Sequence, residues 1–151
     1  MPRRYSIAGK VTAVSSSYKT ALVLVATSAV RPTIYDFSVG TSGTPADNSS
    51  QWQLQRFTAQ GTSTAVVPAA LDSGDPTGTA TAGSANTSEP TYTANTIVFG
   101  PLDLNVRATY RWVAAPGSEL ICPATAANGI GVATLSSAYT GQSDTFVHYW
   151  E

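Results

Sequence analysis

The side chains of this chain best suited to acid–base, nucleophilic or metal chemistry are one imidazole, one thiol and nine scattered carboxylates. A Ser–His–Asp relay needs a histidine base between a nucleophile and an orienting acid, and His148 is the only histidine. It lies in an alternating run near the C-terminus, as a residue on a sheet face would, with Glu151 close enough in sequence to pair with it. Seventeen serines place one near any histidine, so sequence proximity carries no weight. The Gly-x-Ser-x-Gly elbow of strand-to-helix nucleophiles does not occur.

Glycoside hydrolysis needs two carboxylates flanking one bond. Here the acids stand singly, at Asp36, Asp47, Asp72, Asp75, Glu89, Asp103, Glu119, Asp144 and Glu151. Asp72-Ser73-Gly74-Asp75 clusters loop oxygens that a hard cation would accept, but it lacks the EF-hand pattern and reads as turn chemistry. Gly129-Ile130-Gly131 has no following helix and no lysine placed for a phosphate, and reads as a strand that needs small residues. Cys122 is alone, which rules out an intrachain disulfide and a thiolate cluster. No catalytic residue, cofactor or metal is assigned.

Binding chemistry is better supplied. Trp52, Trp112 and Trp150, with Tyr35, Tyr92, Tyr110 and Tyr149, would stack on sugars if several faced solvent, though their alternation with polar residues favours core positions. Arg107 and Arg111 flank Thr109 on a polar face, and arginine is favoured at interfaces for its forked donors.

Strands must position these groups, because period-2 alternation dominates and helical spacing is nearly absent. Tyr5, Ile7, Gly9, Val11 and Ala13 share one face between Arg4 and Val14. Ala21–Thr27 is continuously apolar, as a strand covered on both faces would be. Tyr35, Phe37 and Val39 fall together, opposite Asp36 and Ser38. Trp52 and Leu54 face away from Gln53, Gln55 and Phe57. One strand is expected from Leu104 to Val113, burying Leu104, Val106, Ala108, Tyr110 and Trp112 and exposing Arg107 and Arg111. Further strands are expected at Val66-Val67, Tyr92–Phe99, Glu119–Cys122, Gly129–Leu135 and Asp144–Trp150. The last sets Thr145, Val147 and Tyr149 against Phe146, His148 and Trp150.

Turn residues separate these runs at 40–48, 60–62, 115–118 and 140–142, and at Gly100-Pro101. The expectation is an all-β, antiparallel β-sandwich of about eight strands, of jelly-roll type. The chain reads as one domain, 1–151, with 1–14 as an N-terminal strand or arm. Residues 68–90 hold Leu71 as their one large apolar side chain. They read as a long polar loop, or as an arm lying across a neighbouring subunit.

Composition narrows the partners. Charged residues are 11% of the chain and the formal net charge is −1, against roughly a quarter charged in typical soluble domains. Such a surface offers little self-repulsion and favours association. Arg3-Arg4 with Lys10 is too small a cluster for nucleic acid. Ala21–Ala26 is far short of the roughly 20 residues that cross a bilayer. The polar 15–20 stretch argues against a leader over the first 30 residues, and the two sequons, at Asn48 and Asn86, are chance in so hydroxyl-rich a chain. Neither nucleic acid nor membrane is expected as a partner.

Several segments resemble the jelly-roll head decoration (cement) proteins of tailed bacteriophages. They are Ile34-Tyr35-Asp36-Phe37-Ser38-Val39-Gly40-Thr41 with Pro45-Ala46-Asp47-Asn48, then Leu71-Asp72, Asp75-Pro76, and Glu89-Pro90-Thr91-Tyr92-Thr93. The fullest is Arg107-Ala108-Thr109-Tyr110-Arg111-Trp112-Val113-Ala114-Ala115-Pro116-Gly117, followed by Asn128-Gly129-Ile130-Gly131 and His148-Tyr149-Trp150-Glu151. The resemblance covers most of residues 31–151. It implies a virion protein on the outer capsid surface, a homotrimer binding the major capsid protein, and no active residues. Contact residues expected on this reading are Arg3, Arg4, Tyr5, Leu71, Asp72, Asp75, Arg107 and Arg111. The alternative is a carbohydrate- or host-surface-binding β-sandwich module of a head or tail fibre.

Overall fold

The computed structural model describes residues 2–14 and 16–151; Met1 and Ser15, which fall within the first 30 residues, lie outside the described residues. Among the described residues the chain forms strands and no helix, and two antiparallel sheets pack face to face as a β-sandwich. The front sheet holds β1 (Arg4–Thr12), β3 (Thr33–Thr41), β6 (Ala69–Ala70), β9 (Tyr110–Val113), β10 (Leu120–Ile121) and β12 (Gln142–Trp150). The back sheet holds β2 (Lys19–Val25), β4 (Ser49–Ala59), β5 (Thr62–Val66), β7 (Thr81–Ser88), β8 (Thr91–Asn105) and β11 (Gly129–Leu135).

Pairing is nested. The first strand pairs with the last, β2 pairs with β11, and β12 and β11 then pair with β3 and β4. Strands β9 and β8 add outside β3 and β4. Alternation sets which side chains go inward. Tyr5 and Ile7, Phe37 and Val39, and Val147 and Tyr149 point from the front sheet onto Leu22, Leu24, Trp52, Leu54, Ile130 and Val132 of the back sheet. Each large apolar side chain so buried stabilises the fold by roughly 1.5–3 kcal/mol.

Strand β2 is buried along almost its whole length, as its unbroken apolar run required. Its outward side chains, Val23 and Val25, are covered by Phe57 and Tyr92. That cover comes from a two-stranded strap. The β4–β8 ladder reaches Ala59 opposite Thr91, and the β5–β7 ladder resumes with Thr62 opposite Ser88. The ribbon therefore passes from one edge of the back sheet to the other across the outer face of β2 and β11. Glu89 fastens it, since its Oε2 accepts the Thr20 N–H at 3.0 Å and the Thr20 hydroxyl at 2.6 Å. Tyr92 Oη lies 2.7 Å from the same hydroxyl. Beneath the strap β11 presents glycine: a Cβ on Gly131 would stand 2.5 Å from Tyr92 Oη. That is why Gly129-Ile130-Gly131 needs small residues.

Several expectations are corrected. Residues 68–90 are neither loop nor arm throughout, because β6 pairs with β1 and β7 lies between β2 and β5. Ala80, Ala82 and Asn86 are buried there, so small side chains fill a confined space where the absence of large apolar residues had suggested solvent. The expected strand Leu104–Val113 is two strands on different sheets. Val106 drops into a small cluster with Ala13 and Tyr139, while the Arg107 N–H donates to Asn105 Oδ1 and the Ala108 N–H to the Asn105 carbonyl. The turn spans an even number of residues, so the alternation kept its phase and hid the break. Gly100-Pro101 is not a turn; β8 runs through it, with register shifts along its ladder. Tyr35 does not share a face with Phe37, because a bulge opposite His148 and Tyr149 turns it outward.

Candidate functional site

The outer face of the front sheet carries an ordered grid of side chains, set by register alone. One row across the strands reads Arg4, Trp150, Thr33, Ile121, and the next Ser6, His148, Asp36, Val113. The third reads Ala8, Phe146, Ser38, Arg111, and the last Lys10, Asp144, Gly40. Phe146, His148 and Trp150 thus form an aromatic ridge along β12, with small residues beside Phe146 (Ala8 and Ser38) and with Ser6 and Asp36 beside His148. Tyr35 stacks on Trp150 with ring centres 5.1 Å apart and planes at 16°. Phe146 and His148 are 4.8 Å apart, and the Arg111 guanidinium lies 5.9 Å over the Phe146 ring.

Beneath the ridge Asp36 is 2% exposed. Arg111 holds it with two parallel bonds, and His148 Nδ1 lies 3.1 Å from its Oδ2. The Arg111 hydrogen bonds, above all, hold the Asp36 carboxyl below its ordinary value against the opposing effect of burial, and the same carboxylate raises the arginine. The lone imidazole therefore has an acid partner through Nδ1, and the same acid is gripped by a guanidinium. The three side chains tie β12, β3 and β9 together across the sheet face. Glu151 is engaged elsewhere, accepting the N–H groups of Thr79 and Ala80.

Six of the eight residues expected at contacts are brought together. Arg3, Arg4 and Tyr5 enter β1 beside β6 and the turn that follows it, where Leu71 donates its N–H to the Arg4 carbonyl. Tyr5 itself is fully buried; it donates through its hydroxyl to the Pro76 carbonyl and stacks on Tyr149. Asp72 and Asp75 form the turn, with Asp72 Oδ1 accepting the Gly74 N–H and the Asp72 carbonyl the Asp75 N–H. Arg107 and Arg111 lie apart from this group and from each other. Arg107 pairs with Asp47 at 3.0 Å on the turn between the sheets, and Arg111 belongs to the outer face of the front sheet.

Tyr35 and Trp150, named above as rings that would stack on sugars, and Phe146, not named there, fall outside the residues expected at capsid contacts. The signal was present in β12, where one face already holds Thr145, Val147 and Tyr149. Aromatic residues on both faces of a strand mean that one set meets something other than the core. Val113 at 59% and Ile121 at 41% exposure complete an apolar margin on the β9–β10 edge. Val67 at 78% and Leu71 at 45% flank β6 at the opposite edge. No family model, curated protein or solved structure matches the chain.

Proposed function

We propose that this chain is a structural protein of the virion surface, a decoration protein that docks on the outside of an icosahedral phage head and ties neighbouring capsid subunits together. The observation that carries the reading is the apolar and aromatic margin of the front sheet, where Tyr35, Trp150, Val113 and Ile121 stand together beside Arg111. Aromatic residues and arginine are the types that concentrate at protein interfaces, while lysine and acids are depleted there. The nested strand order, with β1-β12-β3-β9 in one sheet and β2-β11-β4-β8 in the other, supports the jelly-roll reading that accompanies it. The near-neutral composition supports a protein that spends its life in an assembly. Self-association into a trimer belongs to the same proposal.

A protein that binds the assembled shell and not its separate subunits stabilises the shell by mass action. Co-sedimentation with empty heads, together with light scattering of the free protein, tests this. Wild-type chain is expected in the pellet, and the double variant Val113→Ser, Ile121→Ser is expected to bind roughly tenfold more weakly. A monomer that ignores intact heads would end the proposal.

A further inference from the structure

The lower two rows of the same face hold a feature outside the margin formed by Tyr35, Trp150, Val113 and Ile121. A trough of about 510 Å³ crosses the strands there, lined by Ala8, Lys10, Gly40, Thr109, Asp144 and Phe146 among others. Its floor is formed by small residues beside β12, namely Ala8, Ser38 and Gly40. Gly40 has no side chain, and a Cβ placed on it would reach to 3.2 Å from Thr109 Oγ1. The Phe146 ring walls one side, fixed by His148 along the strand and by Arg111 above it. Lys10 and Asp144 wall the other, directly paired across β1 and β12, with Asp144 Oδ1 held by Gln142 Nε2 at 2.9 Å.

We propose that this trough binds a neutral saccharide, one or two pyranose rings lying across the sheet. Chemical complementarity supports the assignment. A pyranose presents a face of C–H groups and a rim of hydroxyls that both donate and accept. The C–H face matches the negative face of an aromatic ring. The rim matches a wall offering an ammonium donor, a carboxylate acceptor and a hydroxyl within one short span. Lys10 and Asp144 cancel in charge, so the trough does not favour an ionic ligand. It also lacks the deep apolar pocket that would anchor a peptide side chain. From β1 to β3 the sheet spans about 10 Å, since adjacent strands lie roughly 4.8 Å apart, which is the length of two linked rings. The volume falls within the usual range of small-ligand sites. The trough lies in the lower two rows and Trp150, Val113 and Ile121 of the docking margin in the upper two, with Arg111 of the third row adjoining both.

The test is an array of neutral, sialylated and sulfated glycans, followed by calorimetry with the best-retained neutral trisaccharide. Three variants accompany the wild type: Phe146→Ala, Asp144→Asn and Gly40→Val. Gly40→Val fills the trough from its floor at an extended position that suits a β-branched residue, and the exposed Thr109 side chain must shift to admit it. Asp144→Asn is a half-exposed change that leaves the core untouched. Retention of a neutral glycan, with affinity lowered about tenfold or more by Phe146→Ala and by Gly40→Val in variants that remain folded at the assay temperature, supports the site. If Gly40→Val or Phe146→Ala fails to fold, loss of affinity in Asp144→Asn supports it equally. No retention of any neutral glycan, retention of acidic glycans alone, or full affinity in the folded variants overturns it. Capsid co-sedimentation of the same variants stays at wild-type level if the two surfaces are separate, and its loss alongside sugar binding would overturn that separation.

Discussion

Arg111 and Asp36 meet fork to fork, with Nε 2.9 Å from Oδ1 and a terminal guanidinium nitrogen 2.6 Å from Oδ2. The carboxylate is buried and the guanidinium is more than half exposed. The pair therefore pins β9 to β3 through a buried acceptor whose countercharge reaches solvent, an arrangement that limits the desolvation penalty of a buried ion pair.

The pair makes stability depend on acid. Folding holds the Asp36 carboxyl below its ordinary value near 3.8, so the unfolded chain takes up that proton first. The contribution is complete above that value and is lost as pH falls through the lower folded value. Asp36→Asn is expected to cost about 1–3 kcal/mol near neutrality. The difference from wild type should shrink steadily below about pH 4. Urea unfolding at a series of pH values measures it, and a gap that stays constant into acid would contradict the assignment.

The strap rests on glycine. Gly129→Ala drives a methyl group into the Leu24 carbonyl, and Gly131→Ala drives one against the Tyr92 hydroxyl. Overpacking of this kind costs typically 1–3 kcal/mol, and Gly129, which meets backbone, should lie at the upper end. Gly43→Ala and Gly117→Ala are the controls, since both have positive φ but open space around them. Their cost should be only about 1 kcal/mol of backbone strain. Thermal melts of the four variants would rank them.

Glu89 is the clasp of that strap. Its carboxylate accepts two bonds from Thr20, and Lys19 Nζ lies 3.6 Å away. Removing it leaves the buried Thr20 donors without this acceptor, at about 1–2 kcal/mol. Glu89→Ala should also raise amide exchange in β7 and at the start of β8 before the rest of the back sheet, because local opening follows lost local contacts. Uniform exchange across both sheets would argue against a separable strap.

Cys122 reports global opening. It is fully buried, and burial pushes its thiol up to about 12. Alkylation of the native protein near pH 8 should run roughly a thousandfold or more below that of a free thiol. The rate should rise in step with unfolding by urea. Rapid labelling of the native state would show that the loop after β10 opens by itself.

Much of this was legible in the residues. Alternation is a local property, and it set the all-β class, the buried run of β2, and the two faces of β12 with Thr145, Val147 and Tyr149 on one and Phe146, His148 and Trp150 on the other. The Asx turn at Asp72 and the need for small residues at Gly129 and Gly131 were equally local. The outer face of the front sheet was not legible as a face. Arg4, Trp150, Asp36 and Arg111 are far apart in the chain, and nothing in their own segments says that they share a face.

The tertiary structure decided what parity cannot encode. Period two says which side a residue takes relative to its strand, not which strand lies beside it, so the four-row grid exists only once β1, β12, β3 and β9 are in register. It also cannot detect a turn of even length, which is how Leu104–Val113 concealed a crossing between sheets. Nor can it foresee a bulge, which put Tyr35 on the outer face. Small residues at 80–86 looked like solvent-exposed chain because burial depends on the space that neighbours leave, and those neighbours, β2 and β5, come from elsewhere in the sequence.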